Sequence, residues 1–443
     1  MTGSSGARPA AFSVWALTRA VLLLWVSKVI TPPGLDVTSD VSVIYHGWYE
    51  VLRSGTYPES DVTWQYPPVA ALAILSPALL PFLDYATAFF MLAFLCDALV
   101  MGLLLRASRG PGRRTAGVWV WVAGVPLLGT TAYARYDVMV TAVAVAALLA
   151  GLRHPRVMGA LAAFGALLKV WPVLLLAGTA RGRRTRLAWT AAAAVAAGLL
   201  LACVVAAPGA LAFLGFQRDR GTEVESLGAL VFHVWRQFGW EGRVELHYGS
   251  LEFLGPGVEL VSTLALGLSL VAFGWLLLWR LRARTFGVST AADAAFTAVL
   301  LFTTTSRVIS PQYMLWLVGL AAVCLVLRES RMEWPAVLVV VATGVTQLEF
   351  PIGFVHVVSS DAHGLTLMFL RNGLLVAACV LAGTRLWQDT VRTPEAEAEA
   401  PAGTPDGTAD GTPDDVPGGV VDKAAGAPVL SRADSADTAA SAP

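Results

Sequence analysis

Charged side chains are scarce in this sequence, and several of them stand inside or beside long apolar runs, where a charge is costly. Ionisable groups in such places are candidates for a function by default. The set mixes carboxylates with guanidinium and ammonium groups, a combination that suits a phosphorylated lipid and a hydroxyl compound as reactants. Cations would bind the phosphate, and a carboxylate would accept a proton from the hydroxyl. The residues concerned are Asp36, Asp40, Arg135, Asp137, Lys169, Arg220, Glu225, Arg307, Glu349 and Arg371.

The composition indicates a membrane protein. Of the 443 residues, 56% are hydrophobic and only 14% are charged, with a mean hydropathy of +0.64. Soluble domains contain about 25% charged residues, so this chain lacks the charged shell of a soluble enzyme. The composition equally argues against a disulfide-rich secreted domain and a DNA-binding protein. The four cysteines lie singly inside apolar runs, so we expect buried, inert thiols and neither a disulfide framework nor a zinc site.

The formal net charge of zero is the sum of two unlike regions. Residues 1–388 are apolar and aromatic and have a net charge of +8, whereas residues 389–443 contain eleven acidic residues, three basic residues and no aromatic residue. The second region cannot bury enough apolar surface to offset the entropy of ordering. We therefore predict a membrane domain over 1–388 and a disordered cytoplasmic tail over 389–443.

Twelve apolar runs approach the length of about 20 residues that a helix needs to cross a bilayer. The fold class that follows is an all-α polytopic membrane protein with about 11–13 transmembrane helices. Arginine-rich loops should face the cytoplasm, which places the candidate residues above at the outer ends of the helices. The runs lie at residues 11–31, 67–82, 85–106, 115–132, 135–152, 157–180, 187–207, 257–279, 289–305, 312–327, 333–349 and 365–386.

The run 157–180 breaks the alternation of inner and outer loops, because basic loops both precede and follow it. It also contains Lys169 and Pro172, and proline interrupts the hydrogen-bond ladder of a helix. We predict two short helices that enter from the cytoplasm, meet near Lys169 and return. Irregular backbone at membrane depth is tolerated where it lines a polar cavity, so this segment indicates a cavity open to the outer side.

The first outer loop, residues 32–66, is expected to contain a helix of its own. Residues 41–54 predict an amphipathic helix in the membrane interface, because apolar side chains recur there at helical spacing. Asp40 stands at its start, where an aspartate is more often a helix cap than a catalytic group, so both interpretations stay open from the residues alone. The apolar positions are Val43, Ile44, Trp48, Val51 and Leu52.

Several short motifs follow one another in a characteristic order. In this order and spacing the chain resembles glycosyltransferase family 87 over residues 10–388. The resemblance implies the C-type glycosyltransferase fold and a likeness to the actinobacterial α-mannosyltransferases that use polyprenol-phosphate-mannose to make phosphatidylinositol mannosides. The motifs are Asp40…Tyr45, Gly55…Tyr57, Tyr66-Pro67-Pro68, Arg135-Tyr136-Asp137, Leu168-Lys169-Val170-Trp171-Pro172, Arg220…Glu225-Ser226 and Ser310-Pro311-Gln312-Tyr313.

The resemblance also implies roles for individual residues. Asp40 matches the family's catalytic base in the first outer loop, with Asp36 as a less favoured substitute. Lys169 matches the lysine between the two short helices and is expected to contact the donor phosphate. We expect donor-phosphate binding also from Arg135, Arg220 and Arg307, and substrate binding from Asp36, Tyr66, Asp137, Glu225, Gln312 and Tyr313.

The implied reaction moves a hexose, expected to be mannose, from a polyprenyl phosphate to a hydroxyl of a glycolipid or cell-envelope glycan at the outer face of the bacterial plasma membrane. Direct displacement would invert a β-linked donor to an α-linked product. We expect neither a cofactor nor a metal, because side chains can neutralise the leaving phosphate. The expected partners are the donor, the acceptor and membrane lipids, and no nucleic acid.

Two other interpretations stay open. A polytopic transporter or flippase also uses broken helices, but it would have related halves and polar residues at both faces. Here no internal repeat is visible, and the polar residues gather at the outer ends. A transferase of the same fold could instead use protein hydroxyls or arabinan as acceptors.

Overall fold

The computed structural model describes residues 4–218 and 220–391. Most of this part of the chain is helical, and the strands are few and short, which confirms the all-α polytopic class. The predicted tail lies outside the described residues from position 392 onward, so its disorder and the boundary at 388 stay predictions. The α-helices of the described residues are α1 (Ser4–Val26), α2 (His46–Arg53), α3 (Ala70–Leu75), α4 (Tyr85–Ala107), α5 (Ala116–Gly124), α6 (Asp137–Gly151), α7 (Pro155–Leu168), α8 (Arg183–Ala206), α9 (Phe213–Arg218), α10 (Ala229–Arg236), α11 (Val258–Arg282), α12 (Thr290–Thr305), α13 (Tyr313–Val326), α14 (Glu333–Gln347), α15 (Phe354–Ser359) and α16 (Ala362–Thr390).

Short irregular helices interrupt or extend several of these elements. Three are 3₁₀ helices, at Ser76–Leu79, Pro126–Ala132 and Trp171–Leu176, and two are π-helical turns, at Asp40–Tyr45 and Leu348–Ile352. Each of the twelve predicted apolar runs coincides with one or more of the helical segments.

Six helices of the described chain are long and apolar enough to cross a membrane by themselves. A seventh span would consist of Pro126–Ala132 and α6, between which the chain bends by 120°. The remaining predicted spans fall on apolar helices of 10–17 residues, namely Ala70–Leu79, α7, α12 and α13. The six long spans are Ala7–Val26, α4, α8, α11, Glu333–Ile352 and α16.

Close contact between the helices depends on small residues. A Cβ added to Gly117 on α5 would lie 2.0 Å from the carbonyl oxygen of Ala322 on α13. One added to Gly159 on α7 would lie 2.0 Å from the carbonyl oxygen of Ala188 on α8. Such close approach maximises van der Waals contact, which favours association where lipid weakens the hydrophobic drive between helices. Helix α13 lies at the centre, with every residue from Met314 to Val326 buried.

The predicted break in the run 157–180 is confirmed. Helix α7 ends at Leu168, Lys169 has an extended backbone, and a 3₁₀ helix follows at Trp171–Leu176. Pro172 stands within the first two positions of that turn, where its missing N–H costs no helical hydrogen bond. The Lys169 side chain therefore leaves the backbone at the point where the helix is interrupted.

The loop 208–256 contains a small antiparallel sheet that the sequence analysis did not predict. Its strands are β1 (Thr222–Glu223), β2 (Arg243–His247) and β3 (Ser250–Leu254), in the order β1-β3-β2. Tyr248 and Gly249 join β2 to β3, both with positive φ (46° and 77°), as a two-residue hairpin requires. Glu223 pairs with Glu252, which fixes the segment around Arg220 against the hairpin.

The arginine-rich loops that were predicted to be cytoplasmic contact one another. Arg114 forms an ion pair of 2.7 Å with Glu333, and the Arg328 amide donates to the Gly112 carbonyl at 3.0 Å. The Arg181 guanidinium donates to the Leu281 carbonyl at 2.9 Å. These contacts collect the basic loops in one region, while the candidate site forms elsewhere. The orientation of the two regions across a membrane stays a prediction.

Candidate active site

Asp40 stands at the start of a helical segment, as predicted, but it does not cap the helix. The π-helical turn Asp40–Tyr45 runs directly into α2, and Ser39 occupies the N-cap position without a capping hydrogen bond from a side chain. The Asp40 carboxylate instead forms an ion pair with Arg135 through Oδ2. The capping interpretation of Asp40 is therefore wrong, and its catalytic role stays a prediction.

The predicted amphipathic helix is present, but its apolar residues point in two directions. Trp48 is buried against the protein, whereas Val43 and Ile44 have exposed fractions of 67% and 40%. The expected single apolar face is therefore divided, because the aromatic members pack inward. Exposed Val43 and Ile44 leave an apolar surface that fits a membrane interface, and that location stays a prediction.

Arg135 reaches Asp40 from the sharp bend between the turn Pro126–Ala132 and α6. Both side chains of this ion pair are largely buried, with exposed fractions of 17% for Arg135 and 26% for Asp40. The pair joins the first outer loop to the segment that also contains Asp137. Among the described residues, only Oδ2 of Asp40 has a partner, so Oδ1 can meet a substrate.

Lys169 and Asp137 form a second, more deeply buried ion pair. The Lys169 ammonium lies 2.7 Å from Oδ1 of Asp137, and the Trp316 indole N–H donates to the same oxygen at 2.6 Å. Oδ2 of Asp137 is buried and has no hydrogen-bond partner among the described residues. One carboxylate oxygen therefore holds both donors while the other is unused.

Four aromatic rings surround the Lys169 ammonium and offer it no strong hydrogen-bond acceptor. A lysine ammonium has three N–H donors, and in the described residues only Asp137 accepts from this one. Cation–π attraction holds the charge among the rings and leaves two donors for an anion. The ring centroids lie at 5.5 Å (Tyr66), 5.1 Å (Tyr136), 5.8 Å (Tyr313) and 5.2 Å (Trp316) from Nζ.

Arg220 and Arg307 are neighbours, and Arg220 lies close enough to Lys169 for their charges to interact. Arg307 donates to the backbone carbonyl of Arg220 at 2.7 Å, and Arg220 donates to Ser250 Oγ at 2.8 Å. Burial, reinforced by the charge of Arg220, lowers the pKa of Arg307. The charges of Arg135 and Arg220 both act on Lys169. The four predicted phosphate-binding cations are thus linked, and an anion among them would relieve their mutual repulsion.

The other predicted substrate-binding residues are placed less uniformly. Glu225 is buried, and its charge acts on Arg135. Gln312 is half-buried at the N-cap of α13, immediately before Tyr313. Asp36 accepts hydrogen bonds from Lys28 Nζ at 2.7 Å and from Thr38, rather than joining the Asp40 ion pair. Substrate contacts of these three residues stay predictions.

An open groove with a volume of about 640 Å³ runs along α2, one helical turn beyond Asp40. Its walls include exposed apolar residues of α2 and hydroxyl and carboxyl groups of the following loop. The carboxyl groups are Glu59 and Asp61, and none of the described residues that line the groove is a cation. It therefore differs in charge from the cationic cluster and suits a neutral, hydroxyl-rich molecule.

The model of glycosyltransferase family 87 matches residues 64–311, which is more than half of the chain. The chain belongs to glycosyltransferase family 87. No curated protein matches it. Membership of the family makes this chain a membrane glycosyltransferase, in agreement with its apolar helices.

The matched part of this family 87 chain includes Tyr66, Asp137, Lys169 and the three predicted phosphate-binding arginines. Asp40 precedes the matched part by more than twenty residues. Its contact with Arg135 connects it to the matched segment in space. The geometry therefore includes in the site a residue on which the family match is silent.

Sequence analysis missed Trp316 and Glu223 as site residues. Trp316 lies one helical turn after Tyr313, and the two rings stack with centroids 3.9 Å apart, so the i, i+3 spacing was the available signal. Glu223 accepts hydrogen bonds from the Ile309 amide at 2.7 Å and from Ser310. Burial raises the pKa of Glu223 to about 7. No local pattern distinguishes Glu223 from the other charges of its loop.

Proposed function

We propose that this family 87 glycosyltransferase moves a hexosyl group, expected to be mannose, from a polyprenyl phosphate to a hydroxyl of a lipid-linked or cell-envelope glycan. The observation that supports this most strongly is the Lys169 ammonium, which has two N–H donors without acceptors among the described residues and lies beside Arg135 and Arg220. A phosphate with two negative charges is the leaving group that such a cationic cluster stabilises best.

The proposed reaction is a single displacement. The acceptor oxygen attacks the anomeric carbon, the bond from that carbon to the phosphate oxygen breaks, and its electron pair leaves with the polyprenyl phosphate. The acceptor proton passes to the Asp40 carboxylate, for which Arg135 fixes the orientation. Lys169, with Arg220 and Arg307, neutralises the departing phosphate. Attack from the opposite face converts a β-linked donor to an α-linked product.

The two substrates would occupy surfaces of different charge. The donor phosphate belongs at the cationic cluster, with its lipid chain between helices. The acceptor glycan belongs in the groove along α2, where Glu59 and the neighbouring hydroxyls can bind sugar hydroxyls. The described residues that line this groove include no cation that would attract the donor phosphate away from the cationic cluster. We place this site at the outer face of the plasma membrane, because the arginine-rich loops indicate the cytoplasmic face.

The test is transfer by the purified protein in lipid nanodiscs, supplied with radiolabelled polyprenyl-phosphate-mannose and a glycolipid extract. We expect the Asp40→Asn variant to lose roughly 10²–10⁴-fold in kcat, as removal of a general base does, with the donor KM changed little. The matched control is Glu50→Gln, which alters an exposed carboxylate of α2 and should leave the rate unchanged.

The donor and the acceptor are tested by substitution of the substrates. Polyprenyl-phosphate-glucose and GDP-mannose in parallel reactions identify the sugar and the carrier, and mass spectrometry of the product lipids identifies the acceptor. Transfer from GDP-mannose alone would contradict the lipid donor. Near-normal turnover by Asp40→Asn would contradict the assignment of the base, and movement of lipid without any transfer would favour a transporter.

A further inference from the structure

A second group of charged and polar residues is buried between α14, α16 and the loop after β1. It consists of Glu225, Glu349, Arg371 and Asn372, which have exposed fractions of 4%, 0%, 0% and 1%, and we refer to it as the Arg371 cluster. Two of its polar atoms, Arg371 Nε and Asn372 Oδ1, have no hydrogen-bond partner among the described residues. Buried charge with unused polar atoms is expensive, so a role beyond packing is expected.

Arg371 binds three separate segments of the chain at once. Its Nη2 donates to Glu349 Oε1 at 2.8 Å and to the backbone carbonyl of Glu225 at 2.7 Å, and its Nη1 donates to the carbonyl of Ile309 at 3.3 Å. A guanidinium has five donors in a planar fork, and a lysine in this place could not reach all three acceptors.

The segments held by Arg371 are those that position the phosphate-binding arginines. The Glu223 carboxylate accepts from the Ile309 amide at 2.7 Å, and the Glu223 amide donates to the Arg307 carbonyl at 3.1 Å. Arg307 in turn donates to the carbonyl of Arg220 at 2.7 Å. A continuous path of hydrogen bonds therefore runs from Arg371 to Arg220.

We propose that Arg371 and Glu349 are positioning residues, which hold the loop Glu223–Ser226 and the backbone at Ile309 so that Arg220 and Arg307 face the donor phosphate. This inference rests on the proposed function. It assigns donor affinity to one residue on α16 and one in the π-helical turn Leu348–Ile352, neither of which is placed at the reacting atoms.

The cluster is balanced when its two carboxyl groups share one proton. The Glu225 and Glu349 carboxyls lie within hydrogen-bonding reach of each other, which requires a proton between them, and Arg371 supplies one positive charge. Burial, with the charges of Glu223 and Glu349, raises the pKa of Glu225 well above its ordinary value. Arg371 opposes this shift, and Arg135 also faces Glu225.

The direction of the pH dependence follows from this raised pKa. Below it the shared proton is present and the loop is held. As the pH rises through it, the proton leaves, two carboxylates face one guanidinium, and the positioning is lost. The donor KM should therefore increase at alkaline pH.

The experiment measures donor KM and kcat between pH 6 and 10 in nanodiscs, with polyprenyl-phosphate-mannose as the probe. We expect Arg371→Met and Arg371→Lys each to raise the donor KM by about tenfold, with kcat lowered less than about threefold. Glu349→Gln keeps an oxygen for Arg371 and gains an N–H for Glu225. It should therefore have a normal KM at pH 7 and no alkaline increase.

The control is Arg19→Lys, which alters a buried arginine that contacts α4 and α5 instead of the loop. We expect this control to lower the yield of folded protein and to leave the donor KM unchanged. The same result for the Arg371 variants would overturn the inference. So would an alkaline increase of KM in Glu349→Gln equal to that of the wild type, a result that remains decisive if Arg371→Met does not fold. An inactive wild type would instead mark failure of the proposed function itself, and this inference would fall with it.

Discussion

Asp97 and Asp137 are both fully buried among the helices of this protein, and their carboxylates are bound in different ways. Both oxygens of Asp97 on α4 are occupied. Oδ1 accepts from the indole N–H groups of Trp15 and Trp121 at 3.0 and 2.7 Å, and Oδ2 accepts from the Tyr133 hydroxyl at 2.6 Å and from Arg19 at 2.7 Å. Arg19 uses its remaining donors on Oδ1 of Asp97, on the Thr18 hydroxyl and on two backbone carbonyls of α5. This ion pair has no unused donor that could bind a ligand.

The carboxylate of Asp137, by contrast, is half used. Its Oδ1 receives both Lys169 and Trp316, and its Oδ2 has no partner among the described residues. Lys169 keeps donors for which the surrounding rings provide no strong acceptor. A complete network of buried hydrogen bonds rigidifies a fold. In an incomplete network, the cost of burying the unpaired polar groups is offset only when another molecule supplies the missing partners. We therefore regard the Arg19–Asp97 pair as one that stabilises the helices, and we propose that the Lys169–Asp137 pair binds a substrate.

The largest expected effect is a loss of stability on replacement of Asp97, the aspartate whose two oxygens are both bound. Asp97→Ala leaves the Arg19 charge and three other donors buried without an acceptor, so we expect the free energy of unfolding to fall by about 3–5 kcal/mol. Thermal unfolding in nanodiscs measures the loss. The protein that remains folded should keep its donor KM.

Asp97→Asn is the matched control, because the amide keeps one acceptor oxygen and should lose less stability. If Asp97→Ala unfolds at the wild-type temperature but no longer transfers sugar, the assignment of the two aspartates is reversed.

A smaller effect, in activity instead of stability, is expected at Lys169. Lys169→Gln keeps an N–H for Asp137 but removes the charge that meets the phosphate. We expect kcat/KM for polyprenyl-phosphate-mannose to fall by about 10²-fold, which corresponds to about 2.7 kcal/mol. Initial rates at several donor concentrations measure this change.

The double variant Lys169→Gln/Asp137→Asn sharpens the contrast between the two pairs. It removes both charges, so any stability lost in the single variant should return, whereas the activity should not. Recovery of transfer in the double variant would show that the pair serves the fold, as Asp97 and Arg19 do.

Part of this arrangement could be predicted from the sequence because its signals are local. A lysine and a proline inside an apolar run predict a broken helix wherever they occur, and α7 does end at Leu168. The candidate charges at Asp40, Arg135 and Asp137 were likewise recognisable because each stands at the end of an apolar segment. The structure brings these three residues together, and their chemical roles stay predictions.

Other parts depend on contacts between distant segments, which no local pattern contains. Arg19 and Asp97 lie inside separate apolar runs, 78 positions apart, and only packing of α1 on α4 makes them partners. The division of the apolar residues around α2 into a buried and an exposed set could not be predicted locally either. It arises because Trp48 packs on Trp64 and Tyr66, which belong to another segment. The hairpin β2–β3 did have a local signal, since apolar and polar residues alternate in Arg243–His247. The alternation covers only five residues between two long apolar runs, so it is weak beside the signals of the spans.

The smallest expected effect compares one tryptophan at each aspartate. Trp316→Phe removes the indole N–H bond to Asp137 but keeps a ring that stacks on Tyr313 and Trp171. The Asp137 carboxylate therefore keeps Lys169 as its partner and loses only the indole that orients it. We expect kcat/KM to fall roughly fivefold, or about 1 kcal/mol, at unchanged unfolding temperature. Trp121→Phe removes the same kind of bond from Asp97 and should do the opposite, with a free energy of unfolding lower by about 1 kcal/mol and normal kinetics. Equal responses of the two variants in both measurements would mean that the unused oxygen of Asp137 does not distinguish a binding site from a structural one.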